Sequence, residues 1–545
     1  MKYFALVITA FLIFSCSQKE SYDLLITNAL VYDGGGQKPF NGAIGVRSDT
    51  LAYIGDGFGV EGVEELDLEG LAIAPGFINM LSWANVALLE DGRSMSDIKQ
   101  GVTLEVLGEG RSMGPWNPEM KLEALSNQTD IKYEISWTTL SEYLSFLEKK
   151  GVSTNVTSFV GNGTLRQHVI GYEDRPATAQ EIQQMQQLLE AEMQAGAVGV
   201  SSSLLYAPSS SADTEELIAL AKVAAKYDGM YISHIRNEGD QLLESIDELI
   251  QIARSADISA EVYHLKASGQ QNWNKMDTVF AMIEEARAEG LNISADMYTY
   301  PASSTGLHVQ LPDWVREGGV DATIERLSDA SNREKILSDI AFRNPPETIM
   351  LVGFKKEELR VHAGKYLTEY AEEKGKTPSE AMIDLIVEDD SRVQVVYFSM
   401  SEENINKKIQ QSWMSFCSDA GSMAAEGVFL KQSTHPRAYG SFIRVLGEFA
   451  RERGVISLED GIRRLSALPA ENLKLQKRGY LRTGYFADLV VFDPELVSDK
   501  ATFEKPHQYA EGIQHVWVNG IQVLKNGVHT GNMPGRFVKG PGFKQ

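Results

Sequence analysis

Cysteine is almost missing from this sequence: Cys16 and Cys417 are the only two in 545 residues. If Cys16 is consumed by the N-terminal signal discussed below, no intramolecular disulfide can form, so stability must come from a buried core and any bound metal. Basic residues are in deficit, 51 Lys and Arg against 75 Asp and Glu, for a formal charge of -24. No basic stripe interleaved with aromatics interrupts that surplus, and a surface of this sign repels phosphate backbones, which excludes nucleic acid as a partner. After the first fifteen positions there is no apolar run of about eighteen residues, so no membrane-spanning helix is expected. Low-complexity linkers are absent as well, which favours one large domain with a smaller companion over several similar parts. None of the nine histidines stands two positions from another, so no His-x-His metal pair exists.

What is present begins with Lys2, an apolar stretch from Tyr3 to Phe14, and Ser15-Cys16. Such a segment is too short to cross a bilayer and reads as a signal peptide over 1–15. Ile13-Phe14-Ser15-Cys16 resembles a bacterial lipobox, whose cysteine is diacylated and becomes the first mature residue. The expectation is an exported lipoprotein on the periplasmic side of a membrane, the outer membrane favoured, attached through its lipid anchor only and without a protein partner. An ordinary signal peptide with an incidental cysteine is the competing reading.

From Tyr22 to Asp56, short β-like runs such as Leu24-Leu25-Ile26 and Ala43-Ile44-Gly45-Val46 are broken by Gly34-Gly35-Gly36 and Ser48-Asp49. The same texture returns in Ala487 to Asp493 and Val516 to Leu524, where Asn519-Gly520 is a favoured hairpin turn. These ends predict one shared β-sandwich, over 22–72 and 477–545. Between them, apolar runs alternate with amphipathic stretches such as Thr178 to Ala195 and Gln241 to Ser255, the pattern of a parallel sheet. Eight candidate strands (Leu71 to Leu81, Gly101 to Gly108, Thr154 to Val160, Val198 to Ser203, Met230 to Ser233, Ala260 to Tyr263, Asn292 to Asp296, Met414 to Ser418) predict an α/β fold, a (β/α)8 TIM barrel over 73–476. The interval 307–344 fits no single βα unit and reads as a mainly helical insertion over the barrel mouth.

In such a barrel, reactive groups come from strand C-termini and the loops after them. Six polar residues meet that positional test: Glu109, His234, His264, Lys266, Asp296 and Asp419. His234 and His264 are thirty positions apart, about one strand-helix-strand unit, so they would end neighbouring strands and face a common centre. Two imidazoles and the Glu109 carboxylate, with a fourth position open, make a catalytic zinc arrangement. The plainer alternative is that each histidine is a hydrogen-bonded interior residue. Asp419, after the last strand, is placed to accept a proton from an attacking water, or else caps a following helix. Arg437, in the next loop, offers a planar fork of donors suited to a substrate carboxylate, with an ordinary ion pair as its rival reading.

Taken in order, Ala74-Pro75-Gly76-Phe77-Ile78, Gly196-Ala197-Val198-Gly199-Val200-Ser201, His234-Ile235-Arg236-Asn237-Glu238-Gly239, His264-Leu265-Lys266-Ala267-Ser268-Gly269, Ser418-Asp419 and His435-Pro436-Arg437-Ala438-Tyr439-Gly440 resemble the D-aminoacylase (N-acyl-D-amino-acid deacylase) branch of the amidohydrolase superfamily. The likeness runs from about Tyr22 to Val538. It implies that Glu109, His234 and His264 hold a zinc ion, that Asp419 is the catalytic aspartate, that Arg437 grips the substrate carboxylate, and that Lys266 and Tyr298 orient the substrate, with Tyr300 the alternative tyrosine. The implied reaction is hydrolysis of an N-acyl-D-amino acid to a carboxylate and a free D-amino acid. One departure stands out. Where the family carries Asp-x-His-x-His after Pro-Gly-Phe-Ile, this chain has Asn79-Met80-Leu81-Ser82-Trp83, so one zinc ion is expected instead of two. Asn162, where relatives tend to carry His, is a second departure. Rival readings are another amidohydrolase reaction, such as dihydropyrimidine ring opening or D-residue dipeptide cleavage, and a lipid-anchored binding protein that has lost its chemistry.

Overall fold

The computed structural model describes residues 20–544. The signal segment and Cys16 lie outside the described residues. Eight strands form the central barrel: β1 (Phe77–Asn79), β2 (Val102–Leu107), β3 (Asn155–Ser158), β4 (Gly199–Ser203), β5 (Met230–His234), β6 (Ser259–Val262), β7 (Ile293–Met297) and β8 (Met414–Phe416). Neighbours pair in parallel in that order, except that β3 reaches β4 through its continuation Val160–Gly161. The ring closes between β8 and β1, where Met80 N donates to Phe416 O at 3.3 Å and Ser82 bridges Ala420 in parallel.

Parallel strands covered on both faces are buried throughout instead of alternating. In β2, all six residues of Val-Thr-Leu-Glu-Val-Leu are buried. The helices between strands carry explicit start and stop signals. Ala179–Ala195 begins with a capping box in which Thr178 accepts from Glu181 N, and it stops at Gly196, whose φ of 114° suits only glycine.

The expected first strand is in fact two. Ala72–Pro75 pairs antiparallel with Leu489–Phe492 in the sandwich, and only after Gly76 does β1 enter the barrel. Both ends of the chain thus share one nine-stranded sheet, with Ile26, Ile44, Ile73, Leu489, Val491 and Trp517 in its core.

The insertion is larger than 307–344 and is not purely helical. That interval carries the helices Asp313–Arg316, Gly319–Ser328 and Arg333–Asp339. They belong to a unit with its own three-stranded antiparallel sheet (Ser303–Gly306, Ile349–Gly353, Gln394–Tyr397) and its own core around Leu351, Leu385 and Val395. The three short strands are separated by long helical stretches, so their pairing is non-local and leaves no two-residue turn signal in the sequence.

Candidate active site

The barrel mouth opens into a cavity of about 1640 Å³ roofed by the insertion through residues such as Thr305, His308 and Arg392. Glu109 sits just beyond β2 between Gly108 and Gly110, whose φ angles are 100° and 58°. A Cβ on Gly108 would lie 2.3 Å from Phe159 O and one on Gly110 2.2 Å from Ser203 Cβ, so this close approach to β3 and β4 requires glycine on either side of the carboxylate. His234 ends β5, and His264 follows β6 with φ at 34°. Asp419, beyond β8, has φ at 47°. Left-handed conformations of this kind at non-glycine residues persist where surroundings enforce them. Here His264 N donates to Asp296 Oδ1 at 2.7 Å, and Asp419 N to Leu81 O at 2.9 Å.

Glu109, His234 and His264 are buried, and each offers a ligand atom within 4.8 Å of the others. His234 Nδ1 lies 2.9 Å and His264 Nε2 3.2 Å from the same oxygen, Glu109 Oε1. Burial alone would raise the Glu109 carboxyl, but the His264 and His234 imidazoles outweigh it and hold it well below the usual range. Burial and the Lys266 charge pull His264 down, yet the Asp419 and Glu109 carboxylates prevail and keep it up at about 10. The centre therefore attracts positive charge. His234 Nε2 is buried without a hydrogen-bond partner, and a carboxylate with two imidazoles is a donor set suited to a borderline divalent cation.

The outer nitrogen of His264 is also held. Its Nδ1 lies 2.7 Å from Lys266 Nζ and 3.1 Å from Glu238 Oε1, and Lys266 donates to that same oxygen at 2.5 Å. A carboxylate behind a ligand imidazole fixes ring orientation and raises basicity. Glu238 belongs to the motif beginning at His234, but nothing in its spacing distinguishes it from an ordinary loop acid.

Asp419 faces two partners. Arg437 Nη1 lies 2.6 Å from Oδ2, an ion pair whose alignment falls short of a hydrogen bond, while Trp83 Nε1 donates to Oδ1 at 3.1 Å. No helix starts at Asp419, so it is not an N-cap. Arg437 is the first residue of the helix Arg437–Arg444 and not part of a loop, and His435 Nδ1 accepts from its backbone N at 2.9 Å. Its guanidinium lies over the Tyr298 ring at 4.6 Å, and its Nε is buried without a hydrogen-bond partner.

Lys266, Tyr298 and Arg437 all line the cavity. Tyr300 is turned away, donating to Asp499 Oδ2 at 3.2 Å. Asp296, although at a strand end, is fully buried and engaged with the His264 backbone. Asn162 accepts from Ser209 Oγ at 2.8 Å.

A closed eightfold barrel with a carboxylate and two imidazoles at its mouth is the architecture of a metal-dependent amidohydrolase, and residues 433–524 match the amidohydrolase family. The chain is 32% identical to the D-aminoacylase of Alcaligenes xylosoxydans xylosoxydans, over 96% of its own length and 99% of that protein's. It superposes on the N-acyl-D-glutamate deacylase of Bordetella bronchiseptica, complexed with zinc and a phosphonate mimic of the tetrahedral intermediate, with a TM-score of 0.80 at 30% identity, covering 95% of this chain and 100% of the other. A D-aminoacylase structure with a binuclear centre, described as activated by one metal and attenuated by a second, gives 0.79 at 30% identity with the same coverage. The protein belongs to the D-aminoacylase family of amidohydrolases.

Proposed function

We propose that this protein is a zinc-dependent N-acyl-D-amino-acid deacylase with one metal ion, which cleaves the amide bond to give a carboxylate and a free D-amino acid. The observation that carries this reading is the position of Asp419, joined through the Trp83 N–H to Glu109, a member of the one three-residue metal cluster found among the described residues. Glu109, His234 and His264 would hold a divalent cation, which when bound would supply Lewis-acid activation of the scissile carbonyl and of water. Asp419 accepts the proton of the attacking water and returns it to the leaving nitrogen. Arg437, with its unpartnered Nε, takes the substrate carboxylate, while Lys266 and Tyr298 orient the amide and carboxylate oxygens. A fixed arginine beside the proton acceptor selects configuration, because only one enantiomer can place its carboxylate there and its carbonyl at the metal.

The single ion follows from the first strand, where Leu81 and Trp83 offer no lone pair. Similarity to deacylases of D-amino acids supports the substrate class. The test pairs zinc analysis with a panel of D- and L-N-acetyl-amino acids. One zinc per chain and turnover confined to D-substrates is the expected result. Inert D-substrates with active cyclic ureides or L-substrates would overturn it. Cys16 as a lipid-bearing residue places the enzyme on the periplasmic face of a membrane, and Cys16→Ser is expected to release it into the soluble fraction.

A further inference from the structure

The Trp83 indole N–H bridges two carboxylates at the barrel mouth. Nε1 donates to Glu109 Oε2 at 3.0 Å and to Asp419 Oδ1 at 3.1 Å. The remaining oxygens of those carboxylates face elsewhere, Glu109 Oε1 toward the imidazoles and Asp419 Oδ2 toward Arg437. One N–H therefore spans the acid of the metal cluster and the proton acceptor. Two carboxylates this near each other repel unless a positive end lies between them. A cation in that place would draw lone pairs from the first barrel strand. Indole nitrogen is a donor only, and Leu81 is apolar and fully buried. The ring is not core packing, since Trp83 is 41% exposed and lines the cavity. Its backbone is pinned across the barrel seam, Trp83 N donating to Ala420 O at 2.9 Å, one residue from Asp419.

We propose that the Trp83 N–H occupies the position of a second cation, excluding it and holding Asp419 in register with Glu109 as a positioning residue. Only the kinetic arm of the test rests on the deacylase reading. Wild type, Trp83→Phe and Trp83→His are equilibrated with excess zinc, analysed for metal content and titrated while the indole ¹H–¹⁵N resonances are followed. Wild type is expected to bind one zinc, to keep a constant rate as zinc rises, and to show an indole resonance, lost in both variants, that moves as the first zinc binds. Trp83→Phe keeps the ring but not the N–H. It should still bind one zinc, with kcat lowered about 10- to 100-fold and KM within about twofold, the range seen when a group behind a metal ligand is removed. Trp83→His restores a lone pair and should take up a second, weaker zinc whose binding slows turnover. Two zinc ions on wild type, or unchanged kcat and zinc affinity in Trp83→Phe, would overturn the proposal. If neither variant folds, the wild-type zinc count and indole response decide, and indole resonances that all ignore zinc overturn it. If wild type cleaves no N-acyl-D-amino acid, the deacylase reading fails, while metal count and indole response still judge Trp83.

Discussion

The two arcs of the barrel mouth are built in opposite ways. Beyond β2, β5 and β6 the rim presents lone pairs, from Glu109, His234 and His264, converging within 4.8 Å. Beyond β1 it presents a buried methyl-bearing side chain, Leu81, and a proton donor, Trp83. Both arcs ride on the same hydrogen-bonded ring, so the difference lies in side chains alone. The proposed count of one metal ion rests on what the side chains of that first strand offer.

Four measurements would break or sharpen that contrast. The largest effect is expected from His234→Ala, which removes a ligand from the lone-pair arc: metal content by elemental analysis and turnover should both fall to background. Retained zinc with full activity would dissolve the distinction between the arcs. Next comes Asp419→Asn, on the seam between them, expected to keep its zinc while kcat drops about 10²- to 10⁴-fold, the usual contribution of a positioned proton acceptor. Glu238→Gln, behind His264, should weaken zinc affinity by about 10- to 100-fold in a chelator competition and leave the fold intact by circular dichroism.

The smallest effect concerns the roof. His308 is held down to about 3, first by burial and then by Arg392 and Arg316, against an ordinary value of 6.5. The unfolded chain therefore binds this proton before the folded one does. Its contribution is complete above pH 6.5 and is lost on acidification toward 3, by up to about 1.4 kcal/mol per pH unit. His308→Gln should flatten the acid limb of a stability–pH curve, and an unchanged slope would show that the insertion does not bury a neutral imidazole.

Much of this arrangement is legible in the sequence because it depends on local order. The eight barrel strands all overlap expected apolar runs, the first of them in the second half of its run only, and the grouping of Glu109, His234 and His264 follows from strand ends, since a parallel barrel sends every strand terminus to one rim. What depends on direction was not legible. Trp83 reads as a missing ligand, because spacing cannot say where an N–H points. Glu238 lies in the segment that begins at His234, but its role needs the Lys266 ammonium and the His264 ring, contributed from the other side of the helix Leu242–Ala256. Arg437 reads as loop because it follows the end of the last barrel strand, whereas it opens the helix Arg437–Arg444. The strands at Ser303–Gly306 and Gln394–Tyr397 leave no local signal, because their pairing spans about ninety residues.

The nine-stranded sheet has a consequence for the order of assembly. Ala72–Pro75 lies between Leu30–Val31 on one side and Leu489–Phe492 on the other. During synthesis, one flank of that strand stays open until more than four hundred further residues have been made, a closure of very high sequence separation and correspondingly slow. The segment that completes the sheet thus acts as a latch: a chain that ends before Leu489 leaves the sandwich strand leading into the barrel with a bare edge, open to pairing with another chain.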